Sequence, residues 1–581
     1  MSEKKLFARK ATGLVREVSM MTAIIICLTN TIGLGWQKRV FQFSGISPIP
    51  DNYWFAGIPP GVMSFLIGGI IILLSVFAFS ILVAAMPRSG GGYVVISRII
   101  NPFAGFVGSW MEFLSLSWAM GVACVVVFEG AFGVFGPIVG VSYGISDVYL
   151  WAGGMILLIL FTGLAAFGVR MAGMLLQIIF WIPMVLTFYV VYLLIQANLN
   201  PAALMAGVTA LGQAHGLSGI TINTYMTQAL AQGLDQAATT NYWGAVSTAM
   251  IGAYYAYTCY AAASFVAGEV KEANRNMPRS LLLASIIIII MYVTNSALSS
   301  YAASAIGITT LPNGHVWSFF DAYAYLSWGP GKGAHALAAA GVPTIRVWTT
   351  VVAGLTGLGM GLGTLNWLLF FFGVLWILND LPPYILTCSR ILFAMAFDRV
   401  LPNRLADVNE RFHSPVNATI MTGIFGLLGV FSESGVLSNG GSWSPGPGPL
   451  GGLLNSIFSV GVASVDLFDA TFFTLFAFCL VIMPWRAPRI YEGSPIKIGG
   501  KVGLATIGAA GFVANLVLDW MILTAPAGSY NLLAPTSDNW FALGFGVLMA
   551  IIGMFMYWYY KYGPAGKGVD YRTIYSEIPP E

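Results

Sequence analysis

Apolar runs of about 20 residues, the length at which an α-helix crosses a bilayer, recur along the whole chain. Bounded by charge, proline or glycine, they fall at about 18–43, 61–85, 104–137, 150–168, 171–197, 241–267, 280–306, 365–394, 416–432, 466–485, 501–522 and 540–560. The pattern predicts twelve spanning helices. A further apolar stretch, 346–364, is so rich in glycine that it reads as an outer-loop hairpin helix, with a thirteenth span as the alternative.

Composition agrees. Of 581 residues 57% are apolar and 8% are charged, against about 25% charged in soluble domains. A formal charge of +3 gives no basic footprint for nucleic acid. If the spans alternate from a cytoplasmic N-terminus, all but Lys38, Arg39, Lys332 and Arg346 of the 26 Lys and Arg residues lie on the cytoplasmic side. That is the positive-inside asymmetry, and it places both termini inside. The basic stretch through Arg16 lacks a cleavage pattern, so the first apolar run is expected to be a retained helix. The stretches 198–240 and 434–452 carry no basic residue and read as outer loops.

The first run is interrupted at mid-membrane by Asn30, Thr31, Gly33 and Gly35. Glycine weakens a helix by about 1 kcal/mol relative to alanine, and unwound backbone is tolerated in a membrane only inside protein or along a cavity. The sixth run has a matching cluster, Tyr254, Tyr255, Tyr257, Thr258, Cys259 and Tyr260. Paired interruptions point to a transporter's binding site; close helix packing at the glycines is the competing reading. No HExxH or Gly-Lys-Ser/Thr phosphate loop occurs, and His215, His315, His335 and His413 are scattered. Neither an enzyme nor a metal site is expected. The five cysteines lie in apolar stretches and read as small buried hydrophobes.

Three stretches between spans carry a resemblance. MPRSGGGYVVISRIINPFAGFVGSW (86–110), AGEVKEANRNMPRSL (267–281) and SRILFAMAFDRVLPNRLADVNERFHSPVNA (389–418) resemble, in order, the loops after helices two, six and eight of amino acid-polyamine-organocation (APC) superfamily permeases. The likeness extends over roughly 15–500. It implies an all-α integral membrane protein of the leucine-transporter type, two inverted five-helix repeats (18–200 and 241–485) followed by two helices (486–562). An outer loop (201–240) separates the repeats, and cytoplasmic tails (1–17 and 563–581) flank them. It further implies a plasma-membrane permease that moves an amino acid or related amine by alternating access, coupled to a proton or sodium, with no other cofactor. An uncoupled exchanger, a nutrient sensor or a channel on the same fold are the alternatives.

Carried over by position, Ile32, Gly33, Leu34 and Gly35 would offer amides to a substrate carboxylate, as a half-helix N-terminus does. Tyr257, Thr258, Cys259, Tyr260 and Ala261 would offer carbonyls to its amino group, and Ser115, Leu116 and Met120 would shape selectivity. Two departures stand out. Cys259 and Ala261 replace a glycine and an acid frequent in the family, and Pro183 stands where some proton-coupled members carry lysine.

Acids within spans are costly, by about 2.5–3.5 kcal/mol. Asp380, about 15 Å at helical rise from Arg390, falls at mid-membrane beside Pro382 and Pro383. It is expected to be a coupling residue, or else a structural acid bonded to break amides. Glu112, one turn from Ser115, is a second coupling candidate that would favour a cationic substrate. Asp466, Asp469 and Asp519 read as solvated near the interfaces, and Lys38 and Arg39 as snorkelling to outer headgroups.

Overall fold

The computed structural model describes residues 12–33, 35–141, 146–167, 169–438, 440–446, 448–458, 461–527, 531–533 and 537–579. Among them, eleven helical segments are long and apolar enough to cross a membrane. The sixth predicted span is the exception. Its helix stops after 16 residues and continues as 3-10 turns, so eleven long segments and one broken one make the expected twelve.

The first run forms α1 (Met20–Thr31) and α2 (Gly35–Ile46), separated at Ile32 and Gly33. Ser19 caps α1 by accepting from the Thr22 amide at 3.1 Å, satisfying a donor that a helix start otherwise leaves open. Then follow α3 (Pro60–Ala85), the short α4 (Gly92–Ile99) and α5 (Pro102–Gly130). Proline at the first position of α3 and α5 costs no hydrogen bond, and Asn101 caps α5 through the Ala104 amide at 2.8 Å. Next come α6 (Asp147–Ala165), α7 (Val169–Leu199), the broken α8 (Tyr242–Tyr257) and α9 (Ala273–Ser304). Beyond a two-stranded antiparallel ribbon (Thr309–Thr310 with Val316–Trp317) lie α10 (Phe319–Trp328) and α11 (Thr349–Gly359). At 11 residues α11 is about 16 Å long, too short for the roughly 30 Å core. This favours the loop-helix reading of 346–364.

The eighth run is split at Asp380 into α12 (Trp367–Asn379) and α13 (Leu381–Phe397). Pro382 and Pro383 have no N–H to return to α12, so they start the second segment rather than continue the first. The chain ends with α14 (Val416–Ser434), α15 (Gly461–Arg486), α16 (Gly500–Thr524), α17 (Ser537–Tyr562) and the short α18 (Tyr571–Ser576).

Two packed groups emerge. Helices α1, α2, α3, α8 and α9 pack on one another, and α5, α6, α13 and α14 form a second set; α15 and α16 lie against both α3 and each other. One face carries both described chain ends. There Arg88 donates to the Pro579 carbonyl at 2.8 Å, and Tyr93 and Tyr575 share a hydroxyl contact at 3.1 Å. We refer to it as the terminal face.

Candidate functional site

The two interruptions meet at the centre of the first group. After α1 the backbone leaves helical geometry at Ile32 (φ −85°, ψ 81°), and a Cβ on Gly33 would land on the Asp380 carboxylate of the eighth run. A Cβ on Gly35 would strike the Ala256 backbone in the last turn of α8. The glycines therefore serve both close approach and chain interruption. Asp380 is 4% exposed and its Oδ1 has no partner among the described residues.

Not every expected donor is free. The Ile32 amide closes the last turn of α1 onto Leu28 O (2.8 Å), and Gly33 N–H bonds Thr31 O (3.0 Å). Gly35 opens α2, where the first amides of a helix lack intrahelical partners; Leu34 lies outside the described residues. On the other side, Tyr257, Cys259 and Ala261 carbonyls are taken by the turn itself, accepting from Tyr260, Ala262 and Ser264. The Thr258 hydroxyl returns to Tyr255 O at 2.8 Å. Cys259 adopts φ +67°, a left-handed conformation that favours glycine. The backbone shape is thus one a glycine would take, built here with a cysteine.

A residue the sequence pattern did not single out joins the breaks. Tyr292 of α9 places its hydroxyl on Thr31 O, the end of α1, and on Ala256 O at 2.9 Å. Trp36 stacks on Tyr292 at 6.4 Å and meets Phe372 edge-on at 5.8 Å. Gln37 folds back to donate to Gly33 O at 3.2 Å. Asn30 is buried with both amide atoms unpartnered among the described residues, leaving a donor and an acceptor at the break itself. An unpaired tyrosine in an apolar helix carries no sequence signal, so only the fold reveals Tyr292.

The remaining expected residues go elsewhere. Ser115 donates to Val465 O at 2.8 Å and Met120 packs on Gly426 of α14, so their side chains build helix contacts rather than the break. Leu116 is buried on the same helix. Tyr257 donates to Phe65 O on α3 at 2.9 Å, and Tyr260 stacks on Phe79 at 5.8 Å. Glu112 meets Asp469 of α15, beside Cys259 of the sixth-run break.

The interfacial readings of several charges are overturned. Asp466 and Asp469 are fully buried, because they start inside α15 and face α5 and α8 rather than headgroups. Lys38 and Arg39 are each 3% exposed. Lys38 is held by Glu129 at 2.7 Å and Glu433 at 2.9 Å, and Arg346 stands 3.6 Å from Glu129. Arg39 lies 4.8 Å over the Tyr255 ring. On the terminal face Arg390 makes a buried bidentate pair with Glu269, at 2.9 and 3.1 Å. No cluster of three or more metal-ligating side chains occurs among the described residues.

Broken helices that meet at a buried polar junction, in a bundle with eleven segments of spanning length among the described residues, narrow the possibilities to a solute carrier. The amino acid permease family profile matches residues 18–555. The chain belongs to that family. The permease also shares its fold with MhsT, whose crystal structure in complex with L-phenylalanine superposes with a TM-score of 0.51 at 14% identity, covering 87% of this chain and 99% of that one. The transporter fold expected from the three loop motifs is therefore the fold observed. No curated protein matches the permease.

Proposed function

We propose that this permease carries an amino acid or a related amine across the plasma membrane by alternating access, coupled to a proton or sodium. The observation that carries the reading is the junction of the two breaks at Tyr292, with Asn30 unpartnered and Gly35 at the start of a half-helix. Such a junction suits a substrate with a carboxylate and an amino group. MhsT, the structural neighbour, is described with L-phenylalanine, which supports an amino acid as the cargo class. The terminal face holds most of the basic residues and is assigned to the cytoplasm.

Asp380 is the proposed coupling residue. Its carboxylate contacts Gly33, so a change in its charge acts directly on the α1–α2 interruption. Uptake of labelled amino acids and polyamines into proteoliposomes, with and without imposed proton and sodium gradients, tests the assignment. Gradient-driven accumulation of an amino acid is expected, with Asp380→Asn losing its dependence on one of the two ions. Accumulation that ignores both gradients would make the protein an exchanger or a channel, and unchanged coupling in Asp380→Asn would remove that residue from the mechanism.

A further inference from the structure

On the α5 and α15 side of the sixth-run break, four carboxyls collect on α5, α15 and α16 with few donors among them. Glu112 and Asp469 are fully buried and within hydrogen-bonding reach of each other. Among the described residues both oxygens of Glu112 and Oδ1 of Asp469 lack a donor, and Oδ2 of Asp469 accepts from the Tyr254 hydroxyl at 2.6 Å. Asp466, three residues outward and so on the same face of α15, has no donor for either oxygen among the described residues. The neighbouring titratable groups are Tyr254 and Tyr260 from the sixth run, Cys259 and Cys388 beside the pair, and Asp519 of α16, which accepts from Thr474 at 3.0 Å. The only cation facing the group among the described residues is Arg39, and it faces Asp466.

Two ionised carboxylates in contact, out of water and without a cation, repel strongly. One proton between them removes that repulsion and supplies the missing donor to an oxygen that otherwise has none. We propose that Glu112 and Asp469 share one proton, bound between a Glu112 Oε and Asp469 Oδ1, and that this pair is a proton-coupling site separate from Asp380. This deepens the transport reading above and rests on it for its role. Binding leaves the pair with one negative charge and release leaves two; the proton passes to water at whichever face is open. Asp466 marks the route toward the face opposite the termini. Tyr254 stands one turn before the break at Thr258, so through its bond to Asp469 the charge of the pair acts on the sixth helix.

Difference infrared spectra of the full-length protein in liposomes, titrated with pH, read the proton directly. Beside the band of other buried carboxyls such as Asp321, a separate protonated-carboxyl band from the pair is expected in the wild type at neutral pH and is expected to vanish, in wild-type-minus-variant spectra, from both Glu112→Gln and Asp469→Asn. Survival of that band in both variants overturns the shared proton. Accumulation reads the coupling: a one-unit pH gradient supports about ten-fold concentration by a one-proton symporter. Relative to exchange, the variants are expected to lose that ten-fold, while Asp469→Glu restores the band. Full proton-driven accumulation in either variant overturns the coupling role. Should one variant fail to fold, the other and Asp469→Glu carry the same two readouts. Failure of the amino acid reading is distinct: the wild type would then exchange no amino acid, while the infrared band would still be decided.

Discussion

At Gly33 the chain has no room for even a methyl group, because the Asp380 carboxylate fills that space. Gly33→Ala must push the carboxylate away from the break, and overpacking of this kind costs about 1–3 kcal/mol. If that cost falls on the transport-competent arrangement, uptake drops by about 5- to 150-fold, with the protein still monodisperse in detergent; uptake within two-fold of wild type would show that Asp380 does not need its present place. Cys259 offers a test of conformation rather than space. Its φ of +67° costs an L-residue about 1–2 kcal/mol, roughly what a small buried side chain returns. Cys259→Gly is therefore expected to leave the melting temperature nearly unchanged, and Cys259→Val, stiff at χ1, to lower it clearly. Equal melting temperatures for all three would mean the turn relaxes out of the left-handed region.

Between elements, the connection following α2 meets α10 through two acids. Burial pushes the Asp51 carboxyl up to about 6, and burial together with the Asp51 charge raises Asp321 well above the usual carboxylate range. Raised values mean that folding favours the protonated forms. Their contribution is complete below the ordinary carboxylate range near 4 and is lost as the pH climbs through about 6. Protection against hydrogen exchange at residues 48–58 and 318–328, with the intrinsic pH dependence of exchange divided out, is accordingly expected to be higher at pH 5 than at pH 8, and Asp51→Asn to abolish the difference. A pH-independent wild type would exclude the contact as a latch. This contact also shows where the sequence was readable. Spans are legible because their apolar length is set by the bilayer, and the first break because glycines and polar residues interrupt one run. The partners of buried charges are not legible. Lys38 reads as interfacial until Glu129 and Glu433, from the ends of two distant helices, are seen around it. Glu112 reads as a cavity acid until Asp469 is found against it. Periodicity reports which face of a helix is apolar, but not which other helix will supply an opposite charge or a shared proton.

Over the whole molecule, two buried ion pairs cross the boundary between the helix groups, one at each face. Glu269, at the end of the sixth run, holds Arg390 of α13 on the terminal face; Lys38 of α2 holds Glu129 and Glu433, at the ends of α5 and α14, on the opposite one. Both are formed here. The proposed alternating access would require each to open while the other holds. Removing one partner of a buried pair leaves an uncompensated charge and costs about 3–5 kcal/mol, close to the roughly 5.5 kcal/mol that takes a two-state equilibrium from 1:99 to 99:1. Glu269→Gln is thus expected to open the terminal face and Lys38→Met the opposite one. Ala394 lines a small cavity of about 20 Å³ at the terminal face, and Ser44 lines the cavity beside Asp321, so single cysteines at these positions report the two sides. The five native cysteines are buried and unpaired, which keeps background labelling by an impermeant maleimide low. Labelling at Ala394→Cys should rise and at Ser44→Cys fall in Glu269→Gln, with the reverse in Lys38→Met. Parallel changes at both positions would mean that the pairs hold the bundle together without opposing one another, and the two helix groups would then move as one body.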